Sequence, residues 1–218
     1  MFVRLTFLST IALLAACDEG VLETPASTND VMVQDNASDE TAPNSDEDAF
    51  VEPMVIDLGA TSDDSWYAVN DTVMGGVSEG IVDYSSEALI FEGAISTANN
   101  GGFASVRSPS ASMDLRDFER VVMRIKNEGQ PFTFVLADSN QWWDGQFRYD
   151  IELEDAGWNE IAIDLRDFEF YDFSTGYPIA TGETMKKRDR KNILFVEFMS
   201  ALFEEGDFLL EVDHITFE

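Results

Sequence analysis

Apolar and polar residues alternate along short runs that fill most of the chain from residue 88 onward. In the clearest run, Phe147, Tyr149, Ile151 and Leu153 fall on one face and charged residues on the other, which is the period of a half-buried strand. Runs rich in β-branched and aromatic residues predict strands over residues 88–96, 103–108, 121–127, 132–138, 146–154, 160–165, 193–199 and 207–217. The pattern therefore predicts a β protein.

The segments between these runs are short and rich in turn residues. Residues 83–88 and 126–131 have the Gly, Ser, Asn and Pro content of hairpin loops. Only residues 109–120 show even a weak helical pattern. Because helices do not alternate with the strands, a doubly wound parallel sheet is disfavoured, and the expected fold is an all-β antiparallel β-sandwich.

The first sixteen residues have the pattern of an export signal. Arg4 is the only charge before an apolar run that ends in "LAAC" at Cys17, and this run is too short to span a membrane stably. Its end resembles the lipobox of bacterial lipoproteins, in which the cysteine becomes the lipidated first residue. We therefore expect a signal peptide over residues 1–16 and a lipid on Cys17.

Residues 17–53 differ from the rest of the chain in composition. They are rich in Asp, Glu, Ser, Thr and Asn and contain no Lys or Arg, so they cannot bury enough apolar surface to offset the entropy of ordering. We expect a disordered, lipid-anchored acidic tether that carries a globular domain over residues 54–218. Asp18 resembles an inner-membrane retention signal, which favours the inner membrane of a bacterial cell envelope and a domain that faces the periplasm.

The net charge of −30 argues against nucleic acid and anionic lipid as partners, because phosphate binding needs a positive footprint. Contact with a membrane is therefore expected through the lipid anchor only. The basic segment "KKRDRK", residues 186–191, is interpreted as a solvated loop that neutralises nearby carboxylates, with a docking patch as the alternative. Because Cys17 is the only cysteine, no disulfide or cysteine metal site is expected in the domain.

The residue types that catalysis and metal binding need are scarce. His214 is the only histidine, so a nucleophile activated by a histidine base is not expected, and the ligands of a zinc site are missing. We expect no enzyme activity and no cofactor, although a hydrolase that uses two of the 43 acidic residues is an alternative. A structural calcium ion is a second alternative, with oxygen ligands from Asn70, Asp71, Asp83, Asp164 and Asp167.

Two polar stretches end in paired glycines: "WYAVNDTVMGGVSEG", residues 66–80, and "STANNGGFASVRS", residues 96–108. Turn closure explains both, because Asn and Asp tolerate left-handed conformations and Gly relieves crowding. The alternative is a ligand-binding loop. We hypothesise that Asp71 pairs with Arg107 and so locks the two glycine loops together.

These stretches, together with "GWNEIAIDLRDF" (157–168) and "GDFLLEVDHITF" (206–217), resemble the complex I intermediate-associated protein 30 family. The resemblance covers residues 55–218. It implies a jelly-roll sandwich similar to galactose-binding-like domains and a non-catalytic role, since mitochondrial members assist the assembly of NADH:ubiquinone oxidoreductase. It also implies binding roles for the matching residues, which are Trp66, Asn70, Asp71, Met74, Gly75, Gly76, Ser78, Asn100, Gly101, Gly102, Phe103, Ser105 and Arg107.

Two functions follow from these observations. The leading hypothesis is a membrane-anchored binding or assembly module that holds a protein partner, such as subunits of a respiratory complex. The alternative is a carbohydrate-binding module of the cell envelope, because Trp142 and Trp143 lie among Asn, Gln and Asp residues suited to stacking on sugars. If this segment is a strand, one of the two tryptophans must face outward.

Overall fold

The computed structural model describes residues 51–59, 65–200 and 204–218. The signal peptide and nearly all of the acidic tether lie outside these residues, and both stay predictions. Within the described part of the chain, none of the helices has the length and apolarity needed to cross a membrane. The strands are β1 (Met54–Asp57), β2 (Tyr67–Asn70), β3 (Glu79–Tyr84), β4 (Leu89–Ile95), β5 (Ala104–Arg107), β6 (Arg120–Gly129), β7 (Thr133–Ala137), β8 (Gln146–Asp150), β9 (Asn159–Asp164), β10 (Glu169–Asp172), β11 (Ile179–Thr184), β12 (Phe195–Ser200) and β13 (Gly206–Phe217).

These strands form two antiparallel sheets. The six-stranded sheet has the order β3-β4-β13-β6-β9, and β1 pairs with the second half of β13. The seven-stranded sheet has the order β11-β10-β8-β7-β12-β5-β2. The long β13 organises the first sheet, since its first half pairs with β4 and both halves pair with β6. The predicted antiparallel β-sandwich is confirmed.

The hydrophobic core lies between the two sheets and is built largely from phenylalanine rings. Phe91 and Phe208 of the six-stranded sheet have ring centroids 4.9 Å apart, and so do Phe134 and Phe198 of the seven-stranded sheet. All four rings are buried, and burying a side chain of this size contributes about 1.5–3 kcal/mol. The alternation of these rings along their strands holds the sheets face to face and leaves the outer faces to polar residues.

All eight strands predicted from the sequence are present, with shifted boundaries. The run 146–154 ends as a strand at Asp150, while Ile151 and Leu153 continue to pack on the core as predicted. The five strands that the sequence pattern missed are short, and β11 has no buried residue that could produce alternation. These missed strands are β1, β2, β3, β10 and β11.

Three predictions about the connecting segments have different outcomes. The loop at residues 83–88 is confirmed, because it joins the paired strands β3 and β4. The second predicted hairpin, at residues 126–131, is wrong, because β6 and β7 lie in different sheets and the chain crosses the sandwich there. Residues 109–119 form no helix: Met113 makes an isolated bridge to Ile193, and Leu115 and Phe118 are buried in the core.

The basic segment 186–191 is more than a solvated loop. Lys187–Asn192 forms a 3₁₀ turn, in which Lys187 and Arg188 are exposed. Arg190 is buried, and its Nη1 donates a hydrogen bond to the carbonyl oxygen of Phe118 at 2.7 Å. The interpretation as a solvated loop is therefore wrong for Arg190, because its guanidinium holds a neighbouring segment in place.

Candidate functional site

Asp71 joins the two glycine motifs. It begins the 3₁₀ turn Asp71–Met74 between β2 and β3 and is only 1% exposed. Its carboxylate accepts hydrogen bonds from the amide and the hydroxyl of Ser78, at 3.0 and 2.5 Å, and from the amides of Gly102 and Phe103, at 2.7 and 3.4 Å. Because Gly102 and Phe103 belong to the second glycine motif, one carboxylate ties both loops together.

The paired glycines are required where the two loops approach this carboxylate. A Cβ atom at Gly76 would collide with the carboxyl group of Asp71, and one at Gly101 would lie 2.5 Å from its Oδ2. No side chain fits at such distances, so both positions need glycine. Asn99 and Asn100 adopt left-handed backbone conformations, with φ of 57° and 62°, as asparagine tolerates in tight turns. The geometry supports turn closure as the role of both motifs.

The hydrogen bonds keep Asp71 ionised in the interior. Burial alone raises the pKa of Asp71, but the donors of Ser78, Gly102 and Phe103 stabilise the charged form more, so the pKa falls below its ordinary value of 3.8. The stabilisation is therefore present above that ordinary pKa and is lost as the pH falls through the lower folded-state pKa. The ionised carboxylate of Asp71 therefore has a structural role, because Ser78, Gly102 and Phe103 all donate hydrogen bonds to it.

The hypothesised ion pair between Asp71 and Arg107 is wrong. Arg107 lies at the end of β5, and its Nη2 donates to both carboxylate oxygens of Glu197 on β12, at 3.1 and 3.3 Å. Asp71 takes its donors from backbone amides and Ser78, as charge-assisted hydrogen bonds allow. The lock between the loops exists, but Arg107 is part of a different arrangement on the outer face of the seven-stranded sheet.

That outer face carries a row of side chains that crosses every strand of the sheet. Residues directly opposite each other in antiparallel strands point to the same side, so the register places one residue per strand in the row. Its members are Tyr67, Arg107, Glu197, Val135, Arg148, Glu169 and Thr184. We call this row, together with Gln146, Tyr171 and Phe173, the seven-strand face.

The ion pair of Arg107 on β5 with Glu197 on β12, in the part of the seven-strand face toward β2, is largely withdrawn from water. Glu197 is 2% exposed although it belongs to an outer face. Arg107 covers it, and the Arg107 guanidinium lies 4.1 Å from the centroid of the Phe195 ring. Nε of Arg107 is buried and has no hydrogen-bond partner in the structure. Removing a charged pair from water in this way costs free energy on folding. A partner that binds here does not have to remove that water again.

Arg148 is the second cation of the face, and aromatic rings flank it. Its guanidinium lies 4.9 Å from the ring of Tyr171 and 5.0 Å from that of Phe173, within the range of cation–π attraction. With the Gln146 amide turned so that its oxygen faces Arg148, this oxygen accepts from Nε at 2.9 Å and from Nη2 at 2.7 Å. Burial lowers the pKa of Arg148, and nearby acidic groups, Glu197 first among them, oppose that shift. The two rings and the Gln146 side chain together fix the orientation of the Arg148 guanidinium.

Three exposed rings lie along one end of the seven-stranded sheet. The pairing of Tyr171 with Gln146 places the loop after β10 beside the loop after β7, and both lie at the end where β2 begins. These three elements carry Tyr177, Trp143 and Tyr67, which are 76%, 52% and 44% exposed. Rings at a rim with polar groups between them suit contact with a ligand that has both flat apolar and hydroxyl or amide surfaces.

Trp142 and Trp143 do not lie in a strand. Residues Trp142–Asp144 form a 3₁₀ turn before β8. The alternation of side chains in a strand, from which one outward tryptophan was predicted, therefore does not apply to them. Trp143 is nevertheless half exposed, because the turn projects from the end of the sheet. The glycan-stacking hypothesis keeps Trp143 as a candidate ring at the rim of the seven-strand face, and the side chain of Trp142 lies outside the part of the chain that the structure describes.

The remaining motif residues divide between the core, the loops and the surface. Trp66 is buried and stacks on Phe198 with a centroid distance of 6.3 Å. Asn70 Nδ2 donates to the carbonyl oxygen of Gly80 at 3.2 Å. Met74 is 69% exposed. The other motif residues in the glycine loops and on β5 are Gly75, Asn100 and Ser105.

Four of the five residues suggested as calcium ligands, Asn70, Asp71, Asp83 and Asp164, have other contacts. Asp83 Oδ1 accepts from the amide of Tyr84 at 2.8 Å, and Asp164 forms an ion pair with Arg166, which lowers the pKa of Asp164 to about 2. Within residues 51–59, 65–200 and 204–218, no three His, Cys, Asp or Glu side chains are grouped to hold a metal ion. His214 lies on β13, with Nδ1 3.5 Å from a carboxylate oxygen of Asp213.

Sequence reasoning missed Glu197, Arg148, Tyr171 and Phe173 as members of a site. One signal was visible, because Glu197 interrupts the otherwise apolar run "ILFVEFM" at residues 193–199. A charged residue inside such a run is rarely buried unless it is paired. The other three could not be grouped without the register of β8 and β10.

Comparisons with known proteins agree with this architecture. The family model described as "Complex I intermediate-associated protein 30 (CIA30)" matches residues 56–212. A family 11 carbohydrate-binding module of a cellulosomal cellulase from Clostridium thermocellum is similar in structure, with a TM-score of 0.55 and 16% identity over 77% of this chain and 95% of that one. The same type of module in complex with a β-1,3-1,4-mixed-linked tetrasaccharide has a TM-score of 0.53 and 17% identity, over 78% and 96% of the two chains. At these identities the likeness shows a shared jelly-roll fold, and no curated protein matches the chain.

Proposed function

Because the chain belongs to the Complex I intermediate-associated protein 30 family, we propose that it is a non-catalytic binding module that assists the assembly of a protein complex. The family description supports a protein partner, such as the subunits of a respiratory complex. His214 is the only histidine, and its Nδ1 lies 3.5 Å from a carboxylate oxygen of Asp213. A single histidine gives little support to a nucleophilic mechanism that needs a histidine base. The proposed task is to hold a partner.

The desolvated Arg107–Glu197 pair is the observation that carries this proposal. It lies on β5 and β12 in the row of the seven-strand face, and Val135 on β7 separates Glu197 from Arg148, whose guanidinium lies 4.9 Å from the ring of Tyr171. Protein interfaces draw most of their binding energy from a few buried Arg, Tyr and Trp side chains. A rigid sheet holds these groups in place before the partner arrives, so little entropy is lost on binding. The seven-strand face is therefore the proposed contact surface.

We propose a membrane-anchored setting for this module, based on the "LAAC" sequence at residues 14–17. In this setting Cys17 carries the lipid and the domain faces the periplasm from the inner membrane. A Cys17→Ser chain cannot be lipidated, so we expect it to move from the membrane pellet to the soluble fraction. Cell fractionation with a soluble periplasmic marker measures this. If Cys17→Ser stays in the pellet to the same extent as the wild type, the anchor is excluded.

A sugar chain is the second candidate partner for the same face. The row carries guanidinium donors at Arg107 and Arg148 and a carboxylate acceptor at Glu169, and such planar groups can bond pairs of hydroxyls. Trp143 at the rim adds a ring for stacking. The fold shared with carbohydrate-binding modules, one of them in complex with a tetrasaccharide, lends support. This candidate corresponds to a binding module of the cell envelope.

Site-specific photo-crosslinking in cells tests the proposed function. A photoreactive phenylalanine analogue replaces Tyr171 on the seven-strand face, and a second chain carries it at Arg166, which is exposed in the turn after β9, on the edge of the other sheet away from β3. We expect a protein adduct at Tyr171, identified by mass spectrometry, and none at Arg166.

The outcomes of this experiment separate the candidates. Polysaccharide attached at Tyr171, without protein, would favour the sugar-binding candidate. Equal adducts at Tyr171 and Arg166, or adducts at Arg166 alone, would contradict the assignment of the seven-strand face.

A further inference from the structure

A second surface lies on the outside of the six-stranded sheet, on the strands that follow the first glycine motif. We propose that this surface docks a basic, apolar segment of a partner protein. The inference rests on the proposed function in that the partner is a protein, but it assigns a contact surface apart from the seven-strand face. We call it the hairpin face, and its residues are Val77, Glu79, Ile81, Asp83, Ile90 and Glu92.

The segment that leads into β3 turns apolar side chains toward solvent. From Val77 to Asp83 the residues are exposed at every second position, and Ser78 and Gly80 between them are buried. Val77 is 47% exposed and Ile81 is 65% exposed. Met74, in the preceding turn, is 69% exposed. Large apolar side chains that are grouped on one exposed face mark contact surfaces more often than single ones do.

The neighbouring strand extends this pattern into a two-dimensional surface. Ile81 lies opposite Glu92 and Asp83 lies opposite Ile90 in the β3–β4 pairing, so an apolar residue faces an acidic one across the pair. Glu79 lies opposite Ala94. Apolar and acidic side chains therefore alternate both along the strands and across them.

The acidic side chains of the hairpin face have no cations to pair with. Among the described residues, Glu79, Asp83 and Glu92 take part in no ion pair. The other half of the same outer face differs, since Lys126 pairs with Glu211 at 2.7 Å and Arg124 pairs with Asp213 at 2.6 Å. The acidic side chains on the β6–β13 half of this outer face are therefore paired with basic residues of the same sheet. The acidic side chains on the β3–β4 half are not.

The sequence explains this division and indicates what the occupant must supply. No Lys or Arg occurs between Arg4 and Arg107, so β1 to β4 carry no basic residue. A partner that complements this face supplies positive charges for its acidic side chains and apolar groups for Ile81 and Val77. A protein segment with interleaved Lys or Arg and apolar side chains meets both needs. An anionic membrane or a nucleic acid would be repelled.

Peptide titrations on the full chain test this inference. The probes are a peptide of alternating lysine and leucine and one of alternating lysine and serine, with equal length and charge. We expect the lysine–leucine peptide to bind at least about tenfold more tightly, because only it can bury apolar groups against the hairpin face. Methyl NMR signals of Ile81 and Ile90 should shift on binding, and added salt should weaken the complex.

Ile81→Ser is the informative variant, and Ile179→Ser is its matched control, because Ile179 is an exposed isoleucine on the distant edge strand β11. We expect about a tenfold loss of affinity with Ile81→Ser and no change with Ile179→Ser. Equal binding by both variants, or equal binding of both peptides to the wild type, would overturn the inference as non-specific attraction. Self-association that Ile81→Ser abolishes would replace the partner with a second copy. We expect the Ile81→Ser chain to crosslink at Tyr171 as the wild type does. A negative result in the peptide titrations is therefore distinct from a negative result in the crosslinking test of the proposed function.

Discussion

Asp71→Ala is expected to lower the free energy of unfolding by about 3–5 kcal/mol, because it leaves two buried amides without acceptors at about 1–3 kcal/mol each and removes charge-assisted bonds as well. The amides are those of Ser78 and Gly102. Since the same carboxylate joins both glycine loops, the loss affects the junction between β3 and β5. Denaturant unfolding at neutral pH, followed by tryptophan fluorescence, measures the change.

Two comparisons isolate the cause of this loss. Asp114→Ala is the matched control, because Asp114 also accepts several hydrogen bonds, from Arg116, but at the surface. We expect a much smaller effect there. The second comparison is pH: since the pKa of Asp71 is lowered in the fold, the advantage of the wild type over Asp71→Ala should shrink as the pH falls below 3.8, the ordinary value. An Asp71→Ala chain with unchanged stability would refute the structural role of the motif.

The fold could be predicted from the sequence because its core strands alternate. In β8 the rings of Phe147 and Tyr149 point to the core, and a period of two follows from the pleat alone. Strands such as β11 escaped prediction because every residue in them is exposed. Whether a loop joins paired strands or crosses the sandwich is also invisible locally, since Gly129 and Pro131 suit either connection.

The candidate site was predictable only in part. The glycine motifs identified the residues that meet at Asp71, and the conformational demands of Gly explain why. The predicted partner of Arg107 was wrong. Its actual partner, Glu197, lies ninety residues further along the chain, and only the β5–β12 register brings the two together. Long-range pairing of this kind depends on sheet order, which local periodicity does not encode.

Arg148→Ala is expected to weaken binding of the partner captured at the seven-strand face by at least about tenfold, the loss typical of truncating a central arginine in an interface. The guanidinium is held by the rings of Tyr171 and Phe173 and by Gln146, so it meets a partner in a fixed orientation. Arg148→Lys keeps the charge but loses the planar group, and should recover only part of the affinity. Arg166→Ala is the matched control, since Arg166 is exposed and pairs locally with Asp164.

The most direct test of the account is the dissociation constant of the captured partner for the wild type, Arg148→Ala and Arg166→Ala chains, each with its thermal unfolding curve. If the seven-strand face is the binding surface, Arg148→Ala binds at least about tenfold more weakly while it unfolds cooperatively, and Arg166→Ala binds as the wild type does. If a cooperatively folded Arg148→Ala chain binds with unchanged affinity, the partner contacts another surface and the central claim is wrong.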